Sequence, residues 1–233
     1  MAAGYSTDIE QKIAAFATNS IGGIIMMDEV SADQITAFRN AMPILPFIAV
    51  DQEGGTVQRY KESGILPGAQ DIAADYSIDQ AYQIYLAHNT FLKNSGLTTN
   101  FAPVVDVTSR MPTPLPGRLF SNNPSVVTDY AAASIRAAKD AGLLPVIKHF
   151  PGLGSASGNT DFVTAVTDSL SILQSRDLIP YEKLAHLQPD IMVGNMIVPD
   201  LTNGQPAIWS PEAVELLRAL GYQEAVIYSD SLT

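Results

Sequence analysis

The chain has 233 residues, 46% of them hydrophobic and only 16% charged, which suits one large core and excludes a disordered or coiled-coil chain. Its formal charge of −11 opposes phosphate backbones and anionic lipid, so nucleic-acid and membrane-surface partners are not expected, whereas a neutral sugar is compatible with it. Cysteine is absent, which rules out disulfides, thiolate metal sites and a thiol nucleophile.

Strands are predicted at 1–4, 21–27, 46–50, 100–105, 144–147, 191–198 and 225–228, seven short apolar runs rich in Ile and Val. They do not alternate with polar residues, as expected of strands buried on both faces of a parallel sheet. Between them, Ser31-Ala32-Asp33-Gln34 is a capping-box pattern that predicts a helix to about Met42. Ser77 with Gln80 repeats it before a helix closed by Gly96, and the apolar spacing of 127–141 predicts another that stops at Gly142. Ser210-Pro211-Glu212 supplies a cap and then a proline at the first helical position of a helix ending at Gly221. The segment 108–124, with four prolines, reads as a loop over a site. Strand–helix alternation throughout predicts a single parallel α/β domain over 1–233.

No apolar run approaches the ~20 residues that span a bilayer, and no basic segment precedes an apolar one as in a signal peptide. Met1-Ala2-Ala3-Gly4-Tyr5 reads as the end of a strand entering its loop, which predicts further sequence upstream. The compartment stays open.

Charged and imidazole groups gather where apolar runs break: Asp51-Gln52-Glu53-Gly54-Gly55, Lys148-His149-Phe150-Pro151-Gly152-Leu153-Gly154 and Val226-Ile227-Tyr228-Ser229-Asp230. In a barrel of alternating strands and helices, strand C-termini are where active sites are built. Taken singly, each motif has a plainer reading as a helix cap, a glycine turn or a solvated surface pair. No His-x-x-x-His, acidic ligand cluster or phosphate-binding glycine loop is present, so no metal or other cofactor is expected. His88 and His186 read as packed or solvated residues.

Together these motifs resemble the catalytic domain of glycoside hydrolase family 3, particularly its β-N-acetylglucosaminidase branch. The resemblance runs in order over nearly the whole chain and implies a TIM-type (β/α)8 barrel of which seven strands are present, trimmed at both ends. It implies that Asp230, in Ile227-Tyr228-Ser229-Asp230-Ser231-Leu232, is the nucleophile, an ionised carboxylate able to trap the anomeric centre as an ester. It gives Asp51, Arg118, Lys148 and His149 sugar hydroxyls as ligands, Glu53 and Arg59 a supporting role as a pair, and Asp106 a structural role in a barrel-top loop, with substrate contact as the alternative. The branch carries Asp-Ser-His five residues after the last glycine of the Lys-His-Phe-Pro-Gly loop, with its His as acid/base. Here those places hold Asn159, Thr160 and Asp161, which makes Asp161 the leading acid/base candidate. Asn195 likewise stands where many relatives carry His. The implied activity is retaining, exo-acting release of terminal β-N-acetylglucosamine from short glycans such as peptidoglycan fragments. A β-glucosidase, a glycoside phosphorylase and a non-catalytic carbohydrate-binding barrel remain as alternatives.

Overall fold

The computed structural model describes residues 2–3, 18, 22–62 and 64–232. In chain order, β1 (Ala2–Ala3) is followed by β2 (Gly23–Met26), α1 (Ala32–Ala41) and β3 (Phe47–Val50). A short hairpin of β4 (Gln52–Gly54) and β5 (Val57–Gln58) precedes α2 (Ala69–Asp75), α3 (Ile78–Asn94) and β6 (Thr99–Asn100). Then come α4 (Pro124–Asp140), β7 (Leu144–Phe150), α5 (Leu170–Ser175), α6 (Leu178–Leu184), β8 (Asp190–Val193), α7 (Pro211–Ala219) and β9 (Ile227–Ser229). Apart from the antiparallel hairpin, every strand pairs in parallel with the next, giving one seven-stranded sheet in the order β1-β2-β3-β6-β7-β8-β9. This is an incomplete TIM-type barrel, as the sequence predicts, with β1 and β9 at the two edges. Residues 1, 4 and 21 of the predicted strands lie outside the described residues.

The helix signals act through the backbone groups they were read from. Ser31 and Ser77 each accept from the amide three residues on, while Gln34 and Gln80 return a bond to the cap amide. α1 ends at Ala41 with Met42 as its cap, at its predicted end, and α3, α4 and α7 close before their predicted glycines, Gly96, Gly142 and Gly221. α4 begins three residues earlier than its apolar spacing suggests, because Asn123 caps it and Pro124 occupies its first turn.

Strand ends differ from expectation where the site is built. β6 stops at Asn100 rather than running to Val105, because Pro103 has no amide to donate; Val104 rejoins only as an isolated bridge to Lys148. β7 runs on through Lys148, His149 and Phe150, where charged residues had suggested a loop. β8 ends at Val193, before Gly194, instead of reaching Val198. Among the described residues, no helix is long and apolar enough to cross a membrane.

The largest apolar cluster lies between the sheet and its helices and includes Ile72, Tyr85, Val127, Ile135, Tyr181 and Leu217. A separate small cluster gathers one inward residue from successive strands or strand ends: Ile25, Ala49, Phe101, Val146, Met192 and Tyr228. Phe101 and Tyr228 meet edge to face with ring centroids 5.1 Å apart. This layer fills the barrel interior, and Ile25, Phe101 and Met192 form an apolar floor to the cavity above it.

Candidate active site

The six residues given catalytic or sugar-binding roles from the sequence, Asp51, Arg118, Lys148, His149, Asp161 and Asp230, line one cavity of about 550 Å³ over the C-terminal ends of the strands. The hairpin places the first group. Gln52 is buried, its carboxamide oxygen accepting from the amides of Arg59 (2.9 Å) and Tyr60 (3.0 Å) while its Nε2 donates to the Tyr60 carbonyl (2.8 Å). Its own amide donates to Asn100 Oδ1 at 3.2 Å, tying the hairpin to the end of β6. Gly54 has φ +98°, and a Cβ there would lie 2.3 Å from the Pro67 carbonyl oxygen, so no other residue fits without moving the loop. Asp51 and Glu53, on either side of Gln52, are thereby held at fixed positions.

Lys148 is buried, with its Nζ 2.6 Å from both Asp51 Oδ1 and Glu53 Oε1. Arg118 meets Glu53 through both arms of its fork, Nε to Oε2 at 2.8 Å and Nη2 to Oε1 at 2.9 Å. Two carboxylates and two cations thus form a charge-balanced lattice. Burial pushes the Glu53 carboxyl up, but Lys148 and Arg118 together outweigh it and hold the group at about 2. Burial likewise pulls Lys148 down, and the Asp51 and Glu53 carboxylates reverse that and raise it, so the ammonium stays charged. Glu53 was expected to pair with Arg59. Its partners are instead Lys148 and Arg118, 95 and 65 positions away, because strand order brings β7 and the 108–124 loop against the hairpin.

Asp106 holds the next group. One of its oxygens accepts from the His149 amide (3.1 Å) and faces His149 Nδ1 at 2.7 Å, while the other accepts from the Leu153 amide at 2.6 Å. A carboxylate at Nδ1 keeps the proton on that nitrogen and leaves Nε2 to meet a ligand. Gly154 packs so closely that a Cβ would lie 2.2 Å from the Val107 carbonyl oxygen, which fixes the turn after β7 against the loop bearing Asp106. Asp106 thus ties His149 and Leu153 to its own loop.

Asp230 follows β9. Its amide donates to the Val193 carbonyl at 2.9 Å, and its Oδ1 accepts from the Ser231 amide at 2.8 Å. Asn195 donates to the Ser231 carbonyl, so the neutral amide at that place orients the segment after Asp230. Asp161 is exposed at the cavity wall, in a turn closed by its own amide donating to Asn159 Oδ1 at 3.0 Å. Among the described residues neither Asp161 nor Asp230 makes an ion pair. His88 and His186 lie on α3 and in the turn after α6, outside the cavity lining.

Residues 7–233 match the sequence profile of the glycosyl hydrolase family 3 N terminal domain. The chain belongs to glycoside hydrolase family 3. Among its family 3 relatives, the beta-hexosaminidase LpqI of Mycobacterium tuberculosis is 35% identical over 230 residues, covering 91% of this chain and 58% of that protein. This chain therefore spans little more than half the length of that relative. A beta-hexosaminidase of Stenotrophomonas maltophilia is 34% identical, with 92% of this chain and 68% of that one covered. Among solved structures, a family 3 glycosyl hydrolase from Mycobacterium smegmatis superposes with a TM-score of 0.90 at 37% identity, over 100% of this chain and 74% of that one. NagZ from Neisseria gonorrhoeae, in complex with N-trifluoroacetyl-D-glucosamine, gives 0.83 at 27% identity, covering 96% and 71%.

Sequence reading passed over Asp177. It is buried beside the turn after β7, where a Cβ on Gly152 would lie 2.8 Å from it. One carboxylate oxygen is 2.7 Å from Arg176, and the other has no hydrogen-bond partner among the described residues. Burial outweighs Arg176 and pushes the carboxyl up to about 7. Because the folded state binds this proton more tightly than the unfolded chain, stability from this group is greatest below about pH 4 and falls as pH rises through 7. Wild type is expected to lose roughly 2–4 kcal/mol at this site between pH 4 and pH 8. Asp177→Asn should lack that loss, so the difference in Tm between variant and wild type should grow with pH. A difference that stays constant with pH would contradict the assignment.

Proposed function

We propose that the protein is the catalytic barrel of a retaining, exo-acting glycoside hydrolase that releases terminal β-N-acetylglucosamine from short β-linked glycans, peptidoglycan fragments among them. The observation that carries this reading is that the two carboxylates outside the charge-balanced lattice, Asp230 and Asp161, line the same cavity as that lattice. The names of the relatives and the aminosugar derivative bound to the gonococcal NagZ support the choice of sugar. Asp51, Arg118, Lys148 and His149 hold the hydroxyls of the terminal sugar. The contacts of Asp51 with Lys148, Glu53 with Arg118 and Lys148, and Asp106 with His149 pre-orient them, so binding need not organise four flexible side chains.

In the first step the Asp230 carboxylate attacks the anomeric carbon as the bond to the leaving oxygen breaks, and that oxygen takes the proton of the Asp161 carboxyl. In the second, water attacks the glycosyl ester and gives its proton to the Asp161 carboxylate, releasing a β-configured sugar and restoring Asp230. The loop bearing Asp161 has material for closure over substrate: Thr160 Oγ1 is buried without a hydrogen-bond partner among the described residues, and Phe162 is 83% exposed.

Asp161→Ala tests the assignment. An aryl β-N-acetylglucosaminide with a good leaving group should still glycosylate Asp230 quickly, whereas hydrolysis of chitobiose should fall by roughly 10²–10⁴-fold. Added azide should restore turnover of the aryl substrate and yield the β-glycosyl azide. Unchanged chitobiose hydrolysis in Asp161→Ala would place the acid elsewhere. A wild-type protein that binds chitobiose and turns over neither substrate would match the non-catalytic barrel.

A further inference from the structure

The loop after β7, residues 155–168, carries Asp161 near its middle and is fastened at both ends. At its start, the buried Ser155 accepts from the Ser109 amide through Oγ at 2.8 Å. At its end, Asp168 meets two cations, Arg110 Nη2 at 2.8 Å on one oxygen and Arg176 Nη2 at 2.9 Å on the other. Arg176 also donates through Nη1 to Ser109 Oγ at 2.6 Å and through Nε to Asp177 at 2.7 Å. Both ends of the loop therefore reach one place, Ser109 and Arg110 in the segment after β6, and Arg176 closes the circuit from the junction of α5 and α6. That junction is firm, because Leu178, Tyr181 and Leu184 are buried on the helix that follows it. Burial pushes the Asp168 carboxyl up, and the bonds from Arg176 and Arg110 outweigh it and hold the group below the usual carboxylate range. The tip is different: the amides of Asp161, Phe162 and Val163 all donate to Asn159, within the tip itself, and these three residues are exposed.

None of Ser109, Arg110, Asp168 and Arg176 lines the cavity. Arg110 is half-exposed, and ion pairs of that kind add little to stability. What a closed circuit at the base of a loop does is fix the point from which its tip reaches over the cavity. A displacement of about 1 Å at a reacting group costs roughly 10²-fold in rate, so that fixing has a direct consequence for chemistry at the tip. We infer that Asp168 and Arg176, with Arg110 and Ser109, are positioning residues for proton transfer: they hold the loop so that Asp161 meets the leaving oxygen, and they act on the reaction only through Asp161. This rests on the reading of Asp161 as the acid/base group. A poor leaving group needs the proton and a good one does not, so loss of position shows on an unactivated glycoside and fades on an activated one.

The test is the ratio of kcat/KM for chitobiose to kcat/KM for a dinitrophenyl β-N-acetylglucosaminide, since kcat/KM covers only the steps up to the glycosyl ester. Asp168→Asn keeps the shape of the side chain and removes its charge, and should lower the ratio by roughly 10- to 100-fold, through kcat with KM near that of wild type. Arg110→Ala, which leaves Arg176 on Asp168, should lower it in the same direction by a smaller factor. In Asp161→Ala, adding Asp168→Asn should lower the ratio no further, because the residue through which the clamp acts is already gone. A merely structural role damages both substrates alike and adds its loss in the double variant. Equal losses on the two substrates in Asp168→Asn, or additive losses in the double variant, overturn the inference. Should Asp168→Asn fail to fold, Arg110→Ala decides, and a wild-type ratio there overturns it. Failure of the acid/base reading is seen separately, as an unchanged ratio in Asp161→Ala itself, and the inference falls with it.

Discussion

Replacing Asp230 by Asn is expected to remove nearly all turnover, roughly 10⁴-fold or more, while leaving the fold and substrate binding in place. The bond that positions the residue runs from its backbone amide to Val193, and the bond from the Ser231 amide can be accepted by an Asn carbonyl as well as by a carboxylate. What the substitution removes is the negative charge and nucleophilicity at the cavity wall. The loss should therefore appear in kcat for aryl and natural substrates alike, with the Kd of a sulfur-linked disaccharide changed little. A residual rate near that of wild type would move the nucleophile to another carboxylate.

The second large effect concerns the buried lattice. Lys148→Met takes the shared cation from between Asp51 and Glu53, whose oxygens each lie 2.6 Å from its Nζ. Breaking a buried ion pair from one side leaves an uncompensated charge, so a cost of about 3–5 kcal/mol is expected, together with loss of activity. Glu53→Gln alone should also destabilise, because it strips both Lys148 and Arg118 of a partner. The double variant restores the charge balance and should be more stable than the sum of the two single losses predicts. Denaturant unfolding of all four proteins measures that coupling. Strict additivity would mean that the lattice does not act as a unit.

How far the sequence discloses this arrangement depends on the range of the interactions. Capping boxes at Ser31 and Ser77, the cap and proline before α7, and the apolar runs of β2, β3, β7 and β9 are local, and each is formed by residues three or four apart or by one continuous run. The placing of Asp51, Lys148, His149 and Asp230 at strand ends follows from the same runs. The partners of Glu53 are not local: they are set by which strands are neighbours in the sheet, and proximity in sequence favoured Arg59 instead. The extension of β7 through Lys148 and His149 was hidden for the same reason. Charged residues fit a buried strand only because Asp51, Glu53 and Asp106 meet them from distant segments. Asp177 gave no signal, since an Arg-Asp pair at the start of a helix is ordinarily solvated, and its burial arises from tertiary packing against Gly152. The β4–β5 hairpin was unreadable because its strands are two and three residues long and contain no alternating apolar pattern.

The most direct measurement is to trap the intermediate. An activated N-acetylglucosaminyl fluoride bearing a second fluorine beside the ring oxygen slows both steps by destabilising the oxocarbenium-like transition state, and its reactive leaving group lets the ester accumulate. Mass spectrometry of the digested protein is predicted to find one sugar per chain, esterified to the peptide containing Asp230, with no label in Asp230→Asn. Label on Asp161, Asp51 or another carboxylate, or a wild type that reacts with the fluoride without forming any ester, would contradict the account.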